Sequence, residues 1–194
     1  MTRSFADRPI DNALLTELCD DALRAPTAGN TQGTALVVLT DDPDRAAYWE
    51  ASTDAAWRAR SARFAGLRRA PVIVLVLCEP AAYVERYAAS DKANSGLGEG
   101  VEAWPVPYWF GDAAFVAMGL LLGAAAHDLG AAFLGAFRGV DAIKEAFAIP
   151  PTWELFATVL LGHPDGHDHR SASLDRTVPR SSRLHFGGFS ARSA

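Results

Sequence analysis

Residues 107–137 read PYWFGDAAFVAMGLLLGAAAHDLGAAFLGAF, and the organisation of the chain follows from them. From Gly111 to Asp128 the apolar residues keep to no single stripe, because Ala, Gly, Val, Leu and Met are scattered around the whole circumference. A helix with that pattern is expected to be buried on all sides. Asp112 is the one carboxylate at its start, where helix capping is the ordinary role. The stretch around Ala113 to Ala126 is too short and too rich in Gly and Ala to span a bilayer comfortably. Just beyond it, Ala131 to Phe133 predicts a short strand.

Working outward, Pro71 to Cys78 (PVIVLVLC) is the clearest strand, since an uninterrupted β-branched run suits a position covered on both sheet faces. Leu155 to Gly162 (LFATVLLG) predicts a second core strand and Thr34 to Leu39 (TALVVL) another buried one. Helices are expected from Asp11, a candidate cap, to the stop at Pro26. Others are expected over Asp42 to about Ala65, Pro80 to Ala89 and Val140 to Phe147. Ser90 to Pro107, with Gly96, Gly98, Gly100, Pro105 and Pro107, predicts a long loop, and loops of this kind are usually functional. The alternation argues for an α+β or α/β sandwich in which helices cover a sheet of about four or five strands. At 194 residues one domain, 1–194, is the expectation. Residues 163–194 form a polar tail in which Leu174, Val178, Leu184, Phe186 and Phe189 could pin it along a partner subunit.

Composition narrows the function. A formal net charge of -5 gives no general attraction for nucleic acid or anionic lipid. The N-terminus lacks an apolar signal core, so a cytoplasmic location is expected. Cys19 and Cys78 are the only cysteines, each in an apolar run without CxxC spacing, and are expected to be inert. No GxSxG, HExxH, P-loop or paired-glycine dinucleotide motif is present. His163, His167 and His169 fall in a Gly/Pro loop rather than on one helix face, so no metal site is expected. A chain without acid, base or nucleophile signatures can still do redox chemistry when a bound flavin carries the reactivity.

Three separated segments point that way. They are TRSFADRPI (2–10), followed after a helix by APTAGNTQ (25–32); the stretch 107–137; and IPPTWELFATVLLGHP (149–164), followed by an arginine-containing tail. In this order and at these separations the chain resembles the FMN-dependent nitroreductase family. The segments match its Arg-x-Phe-x-Asp-x-Pro-Ile opening and its Leu-Gly strand end, and resemble its Tyr-x-x-Asp start of a central helix, with three residues rather than two between Tyr108 and Asp112. The resemblance implies a three-layer α/β/α sandwich with a mostly antiparallel central sheet and an intertwined homodimer holding FMN between subunits. Pro26, Thr27, Ala28 and Asn30, with Gln32 beside them, would approach the flavin from one subunit and Arg3 from the other. Leu134, Gly135 and Ala136 would lie beside the isoalloxazine, with the N–H of Gly135 or Ala136 directed at N5.

An FMN phosphate calls for arginine or ordered N–H groups. The family usually carries a further Arg-Ser pair just upstream of the Arg3 segment. Either translation starts earlier, or the phosphate leans on Arg176 and Arg180. Gly33 and Thr34 stand where the family commonly has Pro and an aromatic. Trp104 and Tyr108 are the candidate substrate contacts, since planar acceptors stack on aromatic faces; Trp109 and Phe110 suit core packing equally well. No side chain is expected to act as catalytic acid or base. The activity implied is transfer of electrons from NADH or NADPH through FMN to a small acceptor such as a nitroaromatic or quinone. The alternatives are a specialised flavin enzyme such as a dehalogenase, a non-catalytic flavin-binding or storage module, and a structural dimer with an emptied site.

Overall fold

Asp11 caps the first helix, α1 (Asn12–Leu23), its carboxylate accepting from the amides of Ala13 and Leu14 at 3.0 and 3.1 Å. The helix stops with Arg24, short of Pro26, as the sequence requires. The computed structural model describes residues 1–61, 63–168, 176 and 183–189. The first strand, β1 (Thr34–Leu39), falls where the apolar run predicts it, yet five of its six residues are only partly buried. It is an edge strand rather than a buried one.

The single helix expected over Asp42 to about Ala65 is three pieces: α2 (Asp42–Ser52), α3 (Ala55–Arg60) and α4 (Phe64–Leu67). Thr53 goes extended at φ −139°, and Asp54 starts a new helix by accepting from the Trp57 amide at 2.6 Å. A local Asx cap here overrides continued helical propensity. Next come β2 (Val72–Cys78) and α5 (Pro80–Ala88). The long loop that follows folds into three short 3-10 turns between Ala93 and Ala103. Then come α6 (Tyr108–Ala126), β3 (Gly130–Gly135), α7 (Val140–Ala146) and β4 (Glu154–Gly162).

The four strands form one antiparallel sheet in the order β1-β2-β4-β3. All seven residues of β2 are buried. Its alternate side chains face two separate cores: Val72, Val74 and Val76 pack under α1 and α6, while Ile73, Leu75 and Leu77 pack under α2, α4 and α7. The chain is therefore an α+β sandwich with helices on both faces of an antiparallel sheet, as the resemblance implied.

α6 departs from the expectation of burial on every side. Ala113, Val116, Ala117, Leu120 and Ala124 are buried against the sheet and α1. Tyr108, Phe115, Met118 and Leu122 are each more than half exposed, and at spacings of seven, three and four they form one stripe. Asp112 does not cap this helix either. It is the fifth helical residue, 3% exposed, and the N-cap position is Pro107.

The N-terminal segment is a strap that starts on the free edge of β3 and crosses to the residues that follow β4. The Thr2 amide donates to the Ala131 carbonyl at 2.8 Å, Phe5 is fully buried, and the Ala6 amide donates to the His163 carbonyl at 2.8 Å. Ser4 Oγ donates to Asp165 at 2.7 Å, and the Arg69 guanidinium joins the same carboxylate. The start of the polar tail is thus tied to its own chain; of the expected partner-pinning residues, Leu174 and Val178 lie outside the described residues, while Leu184, Phe186 and Phe189 are exposed. Burial pushes both thiols up, Cys78 to about 12, with Glu154 adding to the effect there and Asp20 at Cys19. At neutral pH neither is a thiolate.

Asp11→Ala should lower stability by about 1 kcal/mol, read as a lower midpoint in urea unfolding with an unchanged slope. The strap should respond to acid in a defined window. The Ser4 hydroxyl, the His167 amide and Arg69 hold the Asp165 carboxyl below its ordinary 3.8. Its contribution is complete above that value and is lost as pH falls through the lowered one. Exchange protection of the Ala6 amide should therefore stay constant from pH 7 to about 4 and collapse below it; a loss between pH 7 and 5 would assign the strap to other groups.

Candidate functional site

The turn between α1 and β1 presents the first group of candidate residues. Pro26 and Asn30 are exposed, Thr27 and Ala28 half-buried, and Ala28–Asn30 forms one 3-10 turn. Gly29 (φ 65°) and Asn30 (φ 56°) are both left-handed, a conformation open to Gly and tolerated by Asn. Thr31 is buried and its hydroxyl donates to the Ala28 carbonyl at 2.6 Å. Exposed Gln32 reaches back to the Asn30 carbonyl at 3.1 Å. The turn thus offers an outward edge of side-chain amides.

Beneath it lies a buried group that sequence reasoning missed. Asp112 Oδ2 accepts from the Ala28 amide at 2.8 Å and from the Tyr83 hydroxyl at 2.9 Å. Burial, and then the Asp112 carboxylate, push the Tyr83 phenol upward, so it stays protonated and donates. Gly33 explains its own departure from the family pattern: a Cβ there would sit 2.5 Å from the Tyr83 ring. The signal available in the sequence was a lone carboxylate in an otherwise apolar helix, which a capping role explained too easily.

The second group lies at the end of β3. Leu134, Gly135 and Ala136 are half-buried and line a cleft of about 280 Å³ with Trp49, Trp57 and Thr158. A Cβ on Gly135 would lie 2.4 Å from the ring of Phe137, an 89% exposed side chain that lies over the glycine. Arg138 pairs loosely with Asp54 at 3.8 Å, and both residues also line the cleft. Burial pushes the Tyr48 phenol up, against hydrogen bonding with Thr158 and Ser52 that lowers it.

Arg3 follows Thr2, which bonds near the start of β3 at Ala131; its amide donates to Asp168 at 3.0 Å and its carbonyl lies beside Gly66 of α4. The protomer does not bring the two groups together. The turn 26–32 leads into β1, one edge of the sheet, while Gly135 ends β3, the other edge, and Arg3 lies beyond the opposite end of β3, past the Thr2–Ala131 bond. Three strand spacings, about 14 Å, separate the edges. Arg176 is exposed and Arg180 lies outside the described residues. His169 also lies outside them, and among the described residues no group of three side chains could hold a metal ion.

The two aromatic candidates part company. Tyr108 is 51% exposed on the open stripe of α6. Trp104 is 7% exposed, its indole N–H donates to the Leu97 carbonyl at 2.9 Å, and its ring meets those of Tyr83, Tyr87 and Trp109. It anchors the long loop and has no free face for a substrate in the protomer. Trp109 is likewise in the core, and Phe110 is partly exposed.

With this geometry in view, the chain matches the nitroreductase family over residues 1–163. No curated protein matches it. Among solved structures it is similar to an FMN-dependent nitroreductase from Clostridium difficile R20291 (17% identity, TM-score 0.66, covering 97% of this chain and 94% of that one). It is similar also to a nitroreductase family protein from Clostridium difficile 630 (20%, TM-score 0.66, 96% and 92%). A third is nitroreductase A from Vibrio parahaemolyticus (18%, TM-score 0.69, 99% and 74%). At these identities the structural likeness is one of fold. The match of the family across 163 residues carries the assignment: this chain belongs to the nitroreductase family.

Proposed function

We propose that this chain is a subunit of a homodimeric FMN oxidoreductase that takes electrons from NADH or NADPH and passes them to a small planar acceptor, a nitroaromatic or a quinone. The observation that carries the reading is the end of β3, where Leu134, Gly135 and Ala136 line an open cleft with Trp49, Trp57 and Thr158. The donor set suits FMN: an arginine for the phosphate, amide side chains at Asn30 and Gln32, and backbone N–H groups at the strand end.

The division of these residues between opposite edges supports a site shared by two copies, the turn 26–32 of one protomer meeting the β3 edge of the other. The stripe of Tyr108, Phe115, Met118 and Leu122 supports the same arrangement, because large apolar groups in one exposed row mark an interaction face. FMN, when bound, supplies the hydride and electron chemistry itself. Within the proposal the chain's residues bind, orient and tune. Arg3 balances phosphate charge, the amides near Gly135 donate into the ring edge, and Tyr108 offers an aromatic face to the acceptor. Trp104 holds the loop that leads to it.

Freshly purified protein should carry or take up FMN with micromolar or tighter affinity, measured by flavin fluorescence quenching, and should oxidise NAD(P)H faster when a quinone is added. Protein that stays colourless and binds no FMN at micromolar concentration would contradict the proposal. Leu122→Glu should separate the subunits, read by light scattering, and weaken FMN binding by tenfold or more, on the order of 1.4 kcal/mol. A monomer that keeps wild-type FMN affinity would rule out a shared site.

A further inference from the structure

The turn Ala28–Asn30 is fastened from beneath by two charged side chains on two different helices. Asp112 of α6 takes the Ala28 amide at 2.8 Å, across 84 positions of sequence. Arg86 of α5 donates from Nε to the next backbone carbonyl, that of Gly29, at 2.8 Å. The two other guanidinium nitrogens hold Asp91 at 2.8 and 2.7 Å, an arrangement that fixes the plane of the group and keeps Nε facing the turn. The Tyr87 ring closes the remaining side, so a Cβ at Gly29 would lie 2.7 Å from it.

Helix stability does not account for Asp112. It sits in the fifth helical position, beyond the first-turn amides that a capping carboxylate serves. Among the described residues no salt bridge includes it. A carboxylate 3% exposed needs hydrogen-bond donors. Those it has are one tyrosine hydroxyl and one backbone amide, and the amide belongs to the turn.

We propose that Asp112 and Arg86 are positioning residues: by pinning the Ala28 amide and the Gly29 carbonyl they hold the turn in its left-handed form before any ligand arrives, with Asn30 and Gln32 facing outward as a preformed polar edge for the cofactor. The proposal rests on the flavin reading above. A turn fixed in advance spares the ordering cost that a loose one pays on binding, so the effect belongs to affinity rather than to the chemical step.

The test uses the full-length protein and two readouts. In flavin-free protein, Asp112→Ala should speed hydrogen exchange of the Ala28 and Asn30 amides about tenfold, whereas Asp112→Asn, which keeps an acceptor oxygen, should stay near wild type. With FMN as the probe, Asp112→Ala should raise Kd about tenfold while the β2 amides keep their protection, and Asp112→Asn should restore most of the affinity. Arg86→Gln, made near the surface, should act in the same direction and carries the test if Asp112→Ala fails to fold. Unchanged exchange at Ala28 and Asn30 in the folded variants would overturn the proposal, as would an affinity loss that Asn fails to repair while exchange is restored. If wild-type protein binds no FMN the flavin reading falls, and the exchange measurements still decide whether these residues hold the turn.

Discussion

A seven-residue strand with no polar side chain must be covered on both faces, and that requirement organises the molecule. Each buried aliphatic of β2 contributes about 1.5–3 kcal/mol only once it is removed from water. The alternation of Val72, Val74 and Val76 against Ile73, Leu75 and Leu77 sends those contributions in opposite directions. Helices on both faces are the outcome. α6 takes the larger share of one face, and with a sheet only four strands wide it still has a side left over.

The same narrowness shapes the ends of the sheet. β3 is an edge strand, and an uncovered edge invites pairing with other chains. The N-terminal strap covers part of it, with Thr2 on Ala131 and Phe5 sealed beneath. The same strap then leads Arg3 past the end of β3 to Asp168. At the opposite edge the turn before β1 cannot reach this region, which is why the candidate site is divided by the architecture rather than by any feature of the turn itself.

Much of the fold was legible because its strongest signals are local. The apolar run of β2 and the Asp11 cap were read nearly to the residue, and β4 to within one. The break in α2 at Thr53 was not, since Thr-Asp inside an Ala/Arg-rich segment is a weak signal until the Asp54 carboxylate is seen on the Trp57 amide. The partial burial of β1 depends on strand order, which no run of six residues encodes. At the candidate site, it was the resemblance that pointed to the polar turn and to Gly135. Asp112 was misread, because a carboxylate near a helix start suggests a cap while its partners, Ala28 and Tyr83, lie far along the chain. The packing of Trp104 against Tyr83, Tyr87 and Trp109 was no more visible in a glycine-rich loop.

The missing side chain at Gly33 has a reach beyond its own position. The tyrosine at 83 threads through the space it vacates and arrives at the carboxylate of α6. Positions 33 and 83 thus draw on one shared volume. Bulk added at the first must be surrendered at the second, and the two can drift in sequence only as a coupled pair.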